Sequence, residues 1–220
     1  MFNYCPPLDL QDLKSETFPD GKRYYTTPDG VRLPSVTTVI GAKKKKAIME
    51  WRDRVGAEAA NKISKKATSR GTNLHSICED YLNNRIDYHS GVMPDALEMF
   101  KSIRPYLDKI NNIHYQEQAL WSVDIGMAGR VDCIAEYDGV LSVIDFKTSR
   151  KVKKKEDIQD YFAQCVAYAC MYEELVGKGI DQIVIIMAVE DSEPLVFIEK
   201  TEDHLNTLLE FIKFYRENSK

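Results

Sequence analysis

Asp138-Gly139, set between two runs rich in branched and aromatic residues, constrains this chain more than any other feature. Asp-Gly in such a setting signals a two-residue type I′ hairpin, because both central residues then need a positive φ and the turn's twist matches that of the strands. The strands are predicted over residues 127–137 and 140–148. A two-residue turn fixes the register. Tyr137 faces Val140, and equal steps back from the turn bring Asp132 opposite Asp145. Directly opposed residues have Cβ atoms only about 5 Å apart. Alternation puts Lys147 on the same face as Asp145. The neighbours Val131, Cys133, Ile134, Val143, Ile144 and Phe146 are apolar, so both faces of the hairpin are expected to be covered. Two opposed carboxylates in a covered sheet are tolerated if one is protonated or a cation sits between them. The alternative is an exposed edge hairpin with two solvated acids and a lysine partner.

The rest of the chain supplies helices to cover that sheet. Ser35, after Pro34, is a candidate N-cap. Ile48, Trp51, Val55, Ala59 and Ile63 recur at spacings of three and four, which predicts an amphipathic helix over 47–66 with this stripe, Trp51 included, in the core. A further helix is predicted from Thr72, with Leu74, Ile77, Cys78 and Tyr81 inward and with His75 and Glu79 on a neighbouring face. Another is predicted over 94–110, kinked by Pro105. Residues 113–123 read as a strand carrying Glu117 and Trp121, the latter also in an apolar stripe. A long helix over 158–176, strands over 180–189 and 195–199, and a closing helix over 201–216 complete the pattern. Residues 1–34 contain Pro-Asp-Gly twice and read as a small hairpin or irregular N-terminal arm. The expected fold class is α/β: a central mixed sheet flanked by helices, with a helical N-terminal part. The expected organisation is an arm over 1–34 and one domain over 35–220, divided into a helical part (35–110) and a catalytic core (111–220).

The net charge of −4 conceals a strong asymmetry. Residues 43–70 carry 10 Lys/Arg against 3 Asp/Glu, residues 147–155 carry 6 and none, and residues 156–220 carry 5 against 14. A polyanion needs a local positive surface, not a positive total, and two basic runs near one candidate centre favour nucleic acid over an ordinary solvated face. The five cysteines form no C-x-x-C and are odd in number, which argues against a disulfide framework or structural zinc. No apolar run is long enough for a bilayer, so no membrane partner is expected. The start, Met1 to Pro7, lacks the basic and apolar stretches of a signal peptide and the Arg- and Ser-rich character of a transit peptide. A cytoplasmic protein of a bacterium or a phage-infected host is expected.

Three segments together carry a resemblance. Gly129-Arg130-Val131-Asp132, Val143-Ile144-Asp145-Phe146-Lys147-Thr148 and Gln164-Cys165-Val166-Ala167-Tyr168 resemble the PD-(D/E)xK nucleases of the RecB-like branch. Those enzymes pair an Asp with a D-x-K strand and a following helix bearing Q-x-x-x-Y, often with an upstream helical His. His75 matches that histidine. The stretch from Asp132 to Tyr137, the stretch from Val143 to Ser149, and Pro34-Ser35-Val36-Thr37-Thr38-Val39 resemble in particular the family of mitochondrial genome maintenance exonucleases. The resemblance covers about residues 34–216. Val131 stands where the superfamily's eponymous Pro would stand, a position the RecB-like branch commonly relaxes. Some relatives bind an iron-sulfur cluster through four cysteines near the domain ends. That arrangement is absent, and no such cluster is expected. No P-loop is present, so a nuclease without its own motor is expected.

The resemblance implies a restriction-endonuclease-like core and a metal-dependent DNA exonuclease that prefers single strands, acting in recombination, repair or replication, with a recombination or replication protein as an expected partner. Alternatives are a structure-specific endonuclease and an inactive DNA-binding module on a nuclease fold. Hard Mg²⁺ or Mn²⁺ would take oxygens from Asp132, Asp145 and the Phe146 carbonyl, and His75 would tilt the site toward Mn²⁺. Lys147 would orient the attacking water or offset charge on the scissile phosphate. Glu79 and Glu117 are possible further acids. Gln164 and Tyr168 would hold nucleic acid or brace Lys147, and Arg70, Arg130, Arg150, Lys151, Lys153, Lys154 and Lys155 are candidate backbone contacts. In relatives the helical part helps form an arch for a single strand, a role for which residues 43–70 are the candidate here.

Overall fold

The computed structural model describes residues 1–6 and 9–218. Its first unit is a three-stranded antiparallel sheet of β1 (Lys14–Thr17), β2 (Arg23–Thr26) and β3 (Arg32–Pro34). The two Pro-Asp-Gly sequences make its turns. Gly21 and Gly30 have φ of +82° and +80°, values that glycine adopts without strain. Tyr25 and Leu33 of this sheet bury themselves against Ala119 and Ala128 of the main sheet, so the arm is docked.

The Ser35 hydroxyl then accepts the Thr38 N–H and caps α1 (Val36–Gly41). After it come α2 (Lys45–Val55), α3 (Ala57–Leu82) and α4 (Pro94–Leu107). The main sheet follows: β4 (Ile110–Ser122), β5 (Met127–Tyr137) and β6 (Val140–Ser149), then α5 (Gln159–Val176), β7 (Gln182–Val189), β8 (Leu195–Lys200) and α6 (Leu205–Asn218). The five strands lie in the order β4-β5-β6-β7-β8. All neighbours are antiparallel except β6 and β7, whose parallel pairing requires the α5 crossover.

This is the expected mixed sheet flanked by helices. Phe162, Val166, Tyr172 and Phe211 from α5 and α6 pack on Val131, Ile134, Val143 and Ile185. On the other face Leu74, Ile77, Phe100 and Ile103 from α3 and α4 pack on Cys133, Ile144, Phe146 and Val184. Each such fully buried side chain stabilises the fold by roughly 1.5–3 kcal/mol. No helix among the described residues is long and apolar enough to cross a membrane.

Several sequence expectations are corrected. The helical break falls at Gly56 (φ +85°), and α3 runs unbroken through Gly71. Mid-helix glycine costs only about 1 kcal/mol, which packing of the helix outweighs. The stripe on residues 48–63 is not core. Ile48, Met49 and Ile63 are exposed, Trp51 is half-buried, and α2 has no buried residue. Periodicity reports amphipathicity but not the neighbour that would cover the apolar face. Ile110 opens β4 opposite Tyr137 instead of ending the helix. Pro105 lies inside the last turn of α4, which stops two residues later.

Candidate active site

The hairpin register is the one counted from its turn. Tyr137 faces Val140, and the pairing continues to Cys133 and Ile144. It then stops, one step before Asp132 and Asp145. The β4–β5 ladder skips the same residue: Gln116 pairs with Cys133 and Gln118 with Val131, while Glu117 and Asp132 between them do not pair. Glu117 has a φ of +47°, and the Arg130 guanidinium donates to its carbonyl. The sheet therefore has a local gap centred on Asp132, with carboxylates from three successive strands around it.

His75, on the face of α3 turned to β6, closes this gap. Its Nε2 lies 2.7 Å from the Phe146 carbonyl oxygen and its Nδ1 lies 3.5 Å from Asp132 Oδ1. If Nε2 carries the proton and donates to Phe146, Nδ1 presents a lone pair to a carboxylate, an arrangement that a cation between them relieves. Asp132 Oδ2 accepts the Phe146 N–H at 2.8 Å. Ligand atoms of His75, Glu117 and Asp132 lie within 4.8 Å of one another, a spacing that suits a metal ion. Burial and then the neighbouring Asp132 charge push the Glu117 carboxyl up to about 7. Glu117, inferred from the sequence only as a possible acid, is thus central. Carrying the β4–β5 pairing inward from Ser122 and Met127 would have brought it opposite Asp132.

Asp145 and Lys147 project from β6 toward α5, where their side chains are ion-paired, and Asp145 still feels the charges of Asp132 and His75. Asp145 is 1% exposed and its Oδ1 has no hydrogen-bond partner. Burial pushes its carboxyl up to about 6 against the pull of Lys147. Burial draws Lys147 down, but Asp145 and Asp132 outweigh that and hold it above its ordinary value. The two carboxylates thus favour the ammonium form of Lys147. The Tyr161 ring, missed by the sequence reasoning, lies 5.2 Å from its Nζ. An orphaned buried carboxylate oxygen beside a histidine–carboxylate cluster is a donor set that fits a hard divalent cation. One lone pair of the Phe146 carbonyl, a ligand expected from the sequence, is already taken by His75.

Glu79 lines an open cavity of about 350 Å³ with Thr72, His75, Ser76 and Glu117, but stands outside the three-residue cluster. Tyr168 is buried (3% exposed), which corrects its assignment as a direct nucleic-acid contact. Its hydroxyl hydrogen-bonds Gln164 and abuts Gly129, so the pair supports β5 three residues before Asp132. Arg70 and Arg150 both pair with Glu190, and Arg130 pairs with Asp12. Lys155 pairs with Glu199. Lys151 and Lys154 are exposed and Lys153 half-buried.

Comparisons with known proteins identify the family of the chain. The profile of the PD-(D/E)XK nuclease superfamily matches residues 65–215, a span that includes His75, Glu117, Asp132, Asp145 and Lys147. Mitochondrial genome maintenance exonuclease 1 of Mus musculus is 27% identical over 173 residues, covering 74% of this chain and 51% of that protein. Its Homo sapiens counterpart is 28% identical over 178 residues, with the same coverage of 74% and 51%. The chain spans about half the length of the curated relatives it matches. A crystal structure of a candidate exonuclease from Eubacterium rectale superposes with a TM-score of 0.48 at 17% identity, over 70% of this chain and 64% of that one. With a superfamily profile spanning the end of the first basic run, all of the second, the three strands around the gap and the crossover helix, the chain belongs to the PD-(D/E)XK nuclease superfamily.

Proposed function

We propose that this protein is a divalent-metal-dependent deoxyribonuclease that degrades single-stranded DNA from an end. The observation that carries the reading is the convergence of His75, Glu117 and Asp132 within 4.8 Å, beside the buried Asp145 oxygen that lacks a partner. Mg²⁺ or Mn²⁺ held by these residues would neutralise the phosphodiester and lower the pKa of a bound water.

The chain's own groups have separable tasks in this reading. Asp132 offers Oδ1 to the site while Oδ2 is committed to the Phe146 amide, which fixes the carboxylate's orientation. His75 is oriented by the Phe146 carbonyl. Lys147, as an ammonium, offsets negative charge that develops on the phosphate and orients the attacking water. Its Asp145 partner and the Tyr161 ring keep it in place.

Preference for a single strand and for an end rests on the likeness to the mitochondrial exonucleases, as does a role in recombination, repair or replication. Digestion of single strands labelled at either end, with Mg²⁺ or Mn²⁺ and with closed circles as controls, tests the reading. Release of nucleotides from linear strands with circles left intact is expected. Cut circles would make the protein an endonuclease, and no metal-dependent cleavage of any substrate would refute the nuclease assignment.

A further inference from the structure

A second cavity, of about 370 Å³, lies between α3 and the start of α4. Lys62, Lys65, Lys66 and Arg70 bring four cationic groups to it, against the single acid Asp95. Ser69 and Asn73 add neutral donors, and Met93 and Ala96 form an apolar wall. On the preceding segment Lys43, Lys44 and Lys46 are each held by an acid. Among the described residues, Lys62, Lys65 and Lys66 have no ion-pair partner and are exposed. Arg70 differs from them. Its side chain is 10% exposed, Nη1 is held by Glu190 at 3.3 Å, and Nε is buried without a hydrogen-bond partner. Three exposed lysines without acid partners beside a largely desolvated guanidinium suit an anion.

The cavity neighbours the metal cluster along α3, linked to it by shared lining residues. A smaller one of about 220 Å³ shares Asn73 and Met93 with it and Ser76 with the cavity that holds His75 and Glu117. Asp80, which faces this connecting space, is already answered by Arg85 at 2.9 Å. From Lys66 to His75 is nine residues of one helix, about 14 Å at 1.5 Å per residue. One continuous polymer with regularly spaced anionic groups can therefore occupy both places, whereas a small anion cannot.

We propose that the α3–α4 cleft is a second binding site for the phosphodiester backbone of the DNA strand, holding phosphates several nucleotides away from the bond that is cut. The proposal rests on the nuclease reading and adds to it a path for the strand around α3. The apolar wall at Met93 and Ala96 gives the sugar and base a surface without selecting a sequence.

The test compares the wild type with a Lys62→Ala/Lys65→Ala/Lys66→Ala variant and its charge-keeping Lys62→Arg/Lys65→Arg/Lys66→Arg counterpart. Binding of fluorescein-labelled oligothymidylates of graded length is measured in EDTA, so that no cleavage intervenes. The alanine variant should bind a hexadecamer about tenfold more weakly. Its log–log salt slope should be shallower by roughly 2, since each lost phosphate contact on a single strand contributes about 0.7. A dinucleotide, too short to reach both cavities, should change less than twofold, and the arginine variant should match the wild type at every length. Unchanged hexadecamer affinity and salt slope in the alanine variant would overturn the proposal. So would efficient displacement of the hexadecamer by thymidine 5′-monophosphate or inorganic phosphate in the wild type but not in the alanine variant, because the cleft would then be a site for a small phosphate. Wild-type cleavage of the same hexadecamer in Mn²⁺ is scored separately. An active wild type with unaltered variant binding removes only the cleft. An inactive wild type with weakened variant binding removes only the nuclease reading.

Discussion

Asp132 Oδ2 accepts the backbone N–H of Phe146 at 2.8 Å. A side chain thus satisfies an amide on the neighbouring strand at the point where β5–β6 pairing stops. The gap that exposes the acids costs the backbone no unsatisfied donor there, and the same carboxylate keeps Oδ1 toward His75.

Asp132→Asn and Asp145→Asn should each abolish metal-dependent cleavage, but with different effects on stability. An Asn at 132 can still accept the Phe146 amide, so its melting temperature should stay near that of the wild type. An Asn at 145 leaves the partly buried Lys147 without its closest counter-charge, a loss of up to about 3 kcal/mol, the low end of the cost of breaking a buried pair. Nuclease assays and thermal melts of the two proteins check this. Near wild-type turnover in either variant would remove that carboxylate from the site.

Lys147→Ala should act on the chemical step. Single-turnover cleavage at saturating DNA should fall by about 10²–10³, the usual cost of losing one positioned electrostatic donor, with DNA affinity changed far less. A loss seen wholly in affinity would make Lys147 a phosphate anchor.

Mn²⁺ should stabilise the folded protein. At a hundred times its dissociation constant the gain is about 2.7 kcal/mol, read as a rise in melting temperature over the EDTA-treated protein. Glu117→Gln should reduce that rise, because Glu117 is one of three groups whose ligand atoms lie within 4.8 Å. An undiminished rise would exclude Glu117 from the metal.

Gly129 is required by close approach. A Cβ there would lie 2.8 Å from the Tyr168 hydroxyl and 3.1 Å from Val36 Cγ2. Both neighbours are buried, so Gly129→Ala should destabilise by about 1–3 kcal/mol. A Gly129→Ala/Tyr168→Phe double mutant should recover part of the loss in urea melts, since the closest atom is the hydroxyl.

The His114 imidazole, 3.0 Å from the Tyr172 hydroxyl, is held below its ordinary value by burial and by Lys178. The folded state therefore favours neutral His114, and its contribution is full above the unfolded histidine value and lost as pH falls through the folded one. Melting temperature should drop between pH 7 and pH 5, and His114→Gln should make that drop smaller. An equal drop in both proteins would assign it to other groups.

Local chemistry made much of this protein readable from its residues. Asp138-Gly139 set the hairpin turn and therefore the register from Tyr137 to Cys133, and Ser35 set the start of α1. Both depend on neighbours in sequence. Alternation along β6 likewise put Asp145 and Lys147 on one face. Tertiary structure decided what surrounds them. No local pattern says that Glu117 and Asp132 leave their ladder together, that His75 reaches the Phe146 carbonyl, or that Tyr161 lies over Lys147, because each depends on how separate elements pack on one another. The apolar stripe of Ile48 and Ile63 shows the same division. Sequence determined that those residues share a helical face, and only packing decided that no other element among the described residues covers it.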